Sequence, residues 1–265
     1  MHYEIIDFHT HPFTDMASSI CSHKDPTENS FERSVQYLKD MGISKICGSV
    51  ICLKGTPATP YKSDWEMIAD CNQRALALKE MYGDFYIPGF HVHPDYVEES
   101  CKEIEKMSKL GIRLVGELVP YMHGWSDYSC SAFDEIITVA THYGMVINLH
   151  SSDNDQMDKM VQKHPDAVFV AAHPNEYDDY MRHLNRMKMS ENYHLDLSGT
   201  GLFRHRMLRR GIDECGVERF LFGSDYPTCN PAMFIGGVLL DSLISKEEKQ
   251  YIFSKNAKRL LKIGE

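Results

Sequence analysis

Eight short apolar runs, separated by segments of helical spacing, constrain the fold of this chain more than anything else in it. The runs span residues 3–6, 43–52, 85–92 and 112–119, and further ones open at Met145, at Val168, near Tyr193 and at Phe220. Between them, residues 30–41, 65–82, 96–110, 132–143, 155–163, 177–189 and 208–215 place their apolar side chains on one face of a helix. Strand and helix in strict alternation predict a parallel sheet, since each strand must be re-entered from the same end through a crossover. Eight such units in 265 residues of 43% hydrophobic content match a (β/α)8 TIM barrel, which takes about 250 residues around one core. No linker-like tract, block of like charge or repeat interrupts the pattern, so residues 1–265 are read as a single domain. At the C-terminal end, Ser245-Lys246-Glu247-Glu248 has the spacing of a capping box, and an amphipathic segment follows towards Leu261.

Polar residues collect where these runs end. In Asp7-Phe8-His9-Thr10-His11-Pro12 the two histidines are one residue apart on a strand, so alternation of side chains turns both to the same side, with Asp7 aligned behind them. Paired neutral imidazoles suit a divalent metal, and a carboxylate behind them can hold a ring in the right tautomer. His150 closes the run from Met145, His173 the run from Val168, and Asp225 the run from Phe220. If the runs are strands of one barrel, these residues share its C-terminal mouth, where such barrels build active sites.

With 38 acidic and 28 basic residues the formal charge is -10, which opposes attraction to phosphate backbones and disfavours nucleic acid as a partner. No apolar run approaches the roughly 20 residues that span a bilayer, and no basic-then-apolar leader opens the chain. A cytoplasmic protein without membrane contact is expected. The eight cysteines are scattered, with no Cys-x-x-Cys pair, so reduced thiols are expected in place of a disulfide framework.

The strand-one histidine motif, His150, His173 and Phe222-Gly223-Ser224-Asp225-Tyr226-Pro227 together resemble the amidohydrolase superfamily. The likeness is greatest to its amidohydrolase-related branch, which includes aminocarboxymuconate-semialdehyde decarboxylase and 2-pyrone-dicarboxylate lactonase. It covers nearly the whole chain, and Asn256-Ala257-Lys258-Arg259-Leu260-Leu261 is similar to that branch's usual ending. The resemblance implies that His9, His11, His150 and Asp225 hold one divalent metal, most often Zn2+, with a position open to water. It implies further that His173 is a catalytic residue beside that water and that Asp225 accepts its proton. Homo-oligomers are common among such barrels, which is analogy with the fold alone.

Glu117, near the end of the fourth run, can face the same mouth. It is similar in place to the strand-four glutamate with which the metal-dependent deoxyribonuclease branch helps to hold a second metal. A metal contact, an ion pair with Arg113 and a substrate contact stay open for it. His93 is read as a substrate contact or as support for a ligand, and His91, one step deeper, as a core histidine with a bonded partner. In the loop after strand four, Tyr121 and Trp125 are candidates to wall a substrate pocket, or they pack over the barrel. Arg204, in the loop after strand seven, is a candidate clamp for a substrate carboxylate, while Arg209 and Arg210 suit a solvated helix face.

The leading expectation is a metal-dependent hydrolase that attacks an ester, lactone or amide carbonyl of a small, carboxylated substrate with metal-bound hydroxide. The alternative on the same ligand set is a nonoxidative decarboxylase. A third reading, phosphodiester hydrolysis at two metals, rests on Glu117 alone, and a fourth is a barrel that only binds a ligand.

Overall fold

The computed structural model describes residues 3–16, 19–22, 25, 30–51, 61–201 and 204–264. Its sheet has eight parallel strands in sequence order: β1 (Ile5–Thr10), β2 (Ile43–Gly48), β3 (Tyr86–Phe90), β4 (Leu114–Leu118), β5 (Val146–His150), β6 (Val168–Ala172), β7 (Tyr193–Asp196) and β8 (Phe220–Leu221). The chain just after β8 closes the ring on β1. Phe8 N–H donates to Phe222 O (2.9 Å), Asp225 N–H to His9 O (2.8 Å) and His11 N–H to Tyr226 O (2.7 Å). The result is the TIM barrel that the alternation predicts.

The helices are α1 (Phe31–Asp40), α2 (Asp64–Tyr82), α3 (Val97–Lys109), α4 (Pro120–His123), α5 (Ser131–His142), α6 (Asn154–Lys163), α7 (Tyr177–Met189), α8 (Met207–Cys215), α9 (Pro231–Leu239), α10 (Lys246–Gln250) and α11 (Asn256–Leu261). Their starts are set by side chains that satisfy free backbone amides: Ser30 accepts from Arg33 N–H, Ser63 from Glu66 N–H and Asp153 from Gln156 N–H. The capping box at Ser245 is complete, with both reciprocal hydrogen bonds made to Glu248.

Two strands end earlier than the apolar runs suggest. β2 stops at Gly48, whose φ of 147° and close approach to β1 suit glycine alone: a Cβ there would lie 1.8 Å from Thr10 O. Residue 52, the expected end of that run, lies outside the described residues. β3 stops at Phe90 because the Asn72 side chain takes over the backbone of His91, accepting from its N–H (2.8 Å) and donating to its carbonyl (3.1 Å).

One core cluster packs the strands against the surrounding helices, and a second joins Ile6, Phe8, Cys47, Leu114, Val146, Val170 and Leu221, from six strands, to Ala257 and Leu261 of α11. Strict alternation fails in β1, whose register against β2 shifts between Asp7 and Thr10. The seven described cysteines are free thiols. No helix among the described residues is long and apolar enough to cross a membrane.

Candidate functional site

The C-terminal ends of the strands bring His9, His11, Glu117, His150, His173 and Asp225 together, although up to 216 positions separate them in sequence. His9 Nε2 lies 3.1 Å from His11 Nε2, and both lie 3.1 Å from Glu117 Oε2. Asp225 Oδ1 stands 3.4 Å from His11 Nε2 and 3.7 Å from His9 Nε2. Ligands bound at about 2.0–2.1 Å around a tetrahedral cation are about 3.3 Å apart, so His9, His11 and Asp225 have the spacing one small divalent ion requires, and Glu117 forms an overlapping group of donors with His9 and His173.

The orientation of the rings fits the same use. His11 Nδ1–H donates to Ser49 O (3.2 Å), and His9 Nδ1–H donates to Asp196 Oδ2 (3.0 Å). In their neutral form both rings therefore turn a bare Nε2 to Glu117, the usual arrangement of a ligating histidine fixed from behind. The electrostatics ask for positive charge at this point. Burial opposes a charged His9, but Glu117 and Asp196 outweigh it and hold the ring well above its ordinary range. Burial likewise opposes a charged His11, and hydrogen bonds to Asp225 and Glu117 raise it to about 9. Burial would raise the Glu117 carboxyl, yet His9, His11 and His150 hold it well below the usual carboxylate range. Protons or a divalent cation can supply that charge.

Glu117 also faces a second pair of rings. Its Oε1 is 3.0 Å from His150 Nδ1 and 3.6 Å from His173 Nε2, whereas its Oε2 serves His9 and His11. The structure thus places His150 on the far side of the glutamate from the His9, His11 and Asp225 group. Its charge meets histidines, not Arg113. His173 and Asp225 both adopt left-handed backbone, with φ of 70° and 60°, which costs a non-glycine residue about 1–2 kcal/mol and is common where a site dictates the conformation.

Asp196 and Ser198 were not foreseen from sequence. The carboxylate behind the histidines is Asp196, from β7, and not Asp7, which is buried and accepts from Ser224 N–H and Oγ–H (2.9 and 2.5 Å). Burial pushes the Asp7 carboxyl up to about 7. Ser198 Oγ lies 3.0 Å from both His9 Nδ1 and His173 Nδ1 and donates to Asp196 Oδ1. A signal existed: the seventh run also ends in polar residues, in His194-Leu195-Asp196-Leu197-Ser198.

The remaining candidates separate clearly. His91 is the core histidine expected: its Nε2–H donates to Val50 O (2.9 Å), and burial pushes it down to about 4. His93 is committed to the backbone, its Nδ1 accepting from Asp95 N–H (3.0 Å) and its Nε2–H donating to His123 O (3.0 Å), which leaves no ring nitrogen for a substrate. Trp125 is buried against Tyr128 and Phe133, a packing role in place of a pocket wall. Tyr121, 64% exposed, lies with its ring 5.5 Å from that of His150 and borders the mouth. The Arg204 guanidinium pairs with Glu176 on the surface, so a carboxylate clamp would first have to break that pair. Arg209 and Arg210 form the ion-paired helix face expected, with Asp213, Glu248 and Glu214.

Comparison with known proteins agrees with this fold. The family model described as Amidohydrolase matches residues 6–263. Among solved structures, 2,6-dihydroxybenzoate decarboxylase from Rhizobium is similar at a TM-score of 0.75 and 15% identity, over 99% of both chains. Dihydroxybenzoic acid decarboxylase from Polaromonas sp. JS666, with bound manganese and the inhibitor 2-nitroresorcinol, is similar at 0.72 and 14%, over 100% of this chain and 98% of that one. For 5-carboxyvanillate decarboxylase from Sphingomonas paucimobilis the values are 0.68 and 11%, over 98% and 99%. At these identities the likeness is one of fold. No curated protein sequence matches the chain.

Proposed function

This chain belongs to the amidohydrolase family, and from that premise we propose that it is a metal-dependent, nonoxidative decarboxylase of a small carboxylated ring compound. The observation that carries the reading is the convergence of His9, His11 and Asp225 on one cation position, with Glu117 and His173 beside it, in a barrel similar end to end to decarboxylases. It favours the alternative expectation over carbonyl hydrolysis. A divalent cation held there would supply Lewis-acid polarisation of a substrate oxygen.

The residues have separable tasks. In decarboxylation the bond between ring carbon and carboxyl carbon breaks, its electron pair stays on the ring carbon, that carbon takes one proton, and carbon dioxide leaves. Asp225 is suited to deliver the proton, because its Oδ1 turns to His9 and His11 while its Oδ2 faces away from them, towards the Cys229 thiol at 3.9 Å. Its side chain is 12% exposed, against 3% for Glu117, so it is the carboxylate that a substrate reaches. Tyr121 offers an aromatic edge at the mouth to a ring-shaped substrate. His150 flanks the other oxygen of Glu117 and can orient the substrate carboxylate, while His173 stands next to Glu117 and His9 at the cation position.

A second reading, hydrolysis at two cations, is favoured by one observation: the two oxygens of Glu117 face different histidine pairs, as a carboxylate shared between two ions would. Headspace carbon dioxide from a panel of hydroxybenzoates, assayed beside ester, lactone and phosphodiester cleavage, separates the two. Carbon dioxide release lost in Asp225→Asn supports decarboxylation. Cleavage without carbon dioxide, at about two metals per chain, replaces it with the second reading.

A further inference from the structure

We propose that Ser198 sets the tautomer of His173, accepting the Nδ1 proton of that ring and so turning its Nε2 lone pair towards Glu117 and the cation position. The inference deepens the metal-centre reading and rests on it for its meaning in turnover.

The protons can be counted from the contacts. Asp196 Oδ2 accepts from His9 Nδ1–H (3.0 Å), and Asp196 Oδ1 accepts from Ser198 N–H (3.0 Å) while touching Ser198 Oγ. Two oxygens in contact need a proton between them. A carboxylate that already accepts two N–H groups has none to give, so the hydroxyl proton points at Asp196. Ser198 Oγ is left with lone pairs only: one faces His9 Nδ1–H, which also reaches Asp196 Oδ2, and the other meets His173 Nδ1, each at 3.0 Å. Lone pair against lone pair at that distance is repulsive, so His173 Nδ1 must carry the hydrogen. In the neutral ring that leaves Nε2 bare.

The opposite side of the ring gives this arrangement its use. His173 Nε2 stands 3.6 Å from Glu117 Oε1, so two acceptors face each other across a gap that positive charge reconciles. The loop after β7 also holds the ring in place: Gly199 has φ of 65°, and a Cβ built on it would fall 2.3 Å from His173 Nδ1. One Asp196–Ser198 unit therefore orients two imidazoles from different strands, His9 through the carboxylate together with the hydroxyl and His173 through the hydroxyl alone. Ser198 is a positioning residue, acting through His173.

The test is a two-bond proton–nitrogen correlation spectrum of the zinc-loaded full chain with 15N-labelled histidine, His173 being assigned from the signal lost in His173→Asn. The wild type is expected to show His173 protonated at Nδ1 and bare or metal-bound at Nε2. Ser198→Thr, which keeps the hydroxyl, is expected to retain this pattern. Ser198→Ala is expected to move the proton to Nε2 in a measurable fraction of molecules and to weaken zinc by about 10- to 100-fold in chelator competition. A wild-type ring protonated at Nε2, or a Ser198→Ala spectrum identical to wild type, overturns the proposal. Should Ser198→Ala not fold, the wild-type spectrum decides alone. No substrate is present, so the result stands apart from whether the protein releases carbon dioxide.

Discussion

Replacing Glu117 by glutamine tests the centre most directly, because it preserves the size of the side chain and removes one unit of charge. Glu117 Oε2 lies 3.1 Å from both His9 Nε2 and His11 Nε2, so a cation held among them is within ordinary bonding reach of the carboxylate. At about 3 Å and an effective dielectric near 20, each pair of unit charges attracts by about 5 kcal/mol, part of which is offset by the cost of burying the carboxylate. If roughly half survives, the variant binds metal about a hundredfold more weakly. The assay is thermal unfolding with and without zinc. At a zinc concentration 100 times the wild-type Kd, binding stabilises the wild type by about 2.7 kcal/mol and the variant by only about 0.4 kcal/mol. For a chain of this size those values correspond to Tm gains of about 5–10 °C and about 1 °C. Mass spectrometry of protein purified without chelator should show metal lost from the variant in parallel. Equal metal content and an equal Tm gain in Glu117→Gln would refute the reasoning and leave the carboxylate a structural partner of the histidines.

Three further outcomes follow from the same geometry. His11 is raised from about 6.5 to about 9 in the folded, metal-free protein, so its contribution to stability is complete below pH 6.5 and is lost as pH rises towards 9; urea titrations should show metal-free stability falling across that window, with a flatter curve once zinc replaces the protons. Asp225→Asn and His173→Asn should lower turnover by about 10²–10⁴-fold with far-UV circular dichroism unchanged, because asparagine tolerates the left-handed backbone at both positions; near-wild-type turnover in either would remove that residue's role. Gly199→Ala should destabilise by about 1–2 kcal/mol through its left-handed φ and displace the His173 ring, and a variant with unchanged Tm and unchanged activity would show that the loop yields.

The barrel was legible in the sequence because its determinants are local and repetitive. Helical spacing, the capping box at Ser245 and apolar runs of strand length each depend on neighbours within a few residues, and eight repetitions admit few topologies. The placing of His9, His11, His150, His173 and Asp225 at one mouth followed from the same pattern, since every parallel strand ends on that side. What each residue touches was decided by tertiary structure. Alternation places Asp7 behind the histidines, but β1 shifts register after Asp7, whose carboxylate meets Ser224, and Asp196, 187 residues from His9, takes its place. His93 and Trp125 have the same residue types as pocket groups, yet one is bound to backbone and the other packed on Phe133. Glu117 could be seen from sequence as a charge in need of a partner. That its two oxygens meet two different pairs of histidines depends on how far four strands are offset around the barrel, a quantity set by the packing of the whole ring that no single segment encodes.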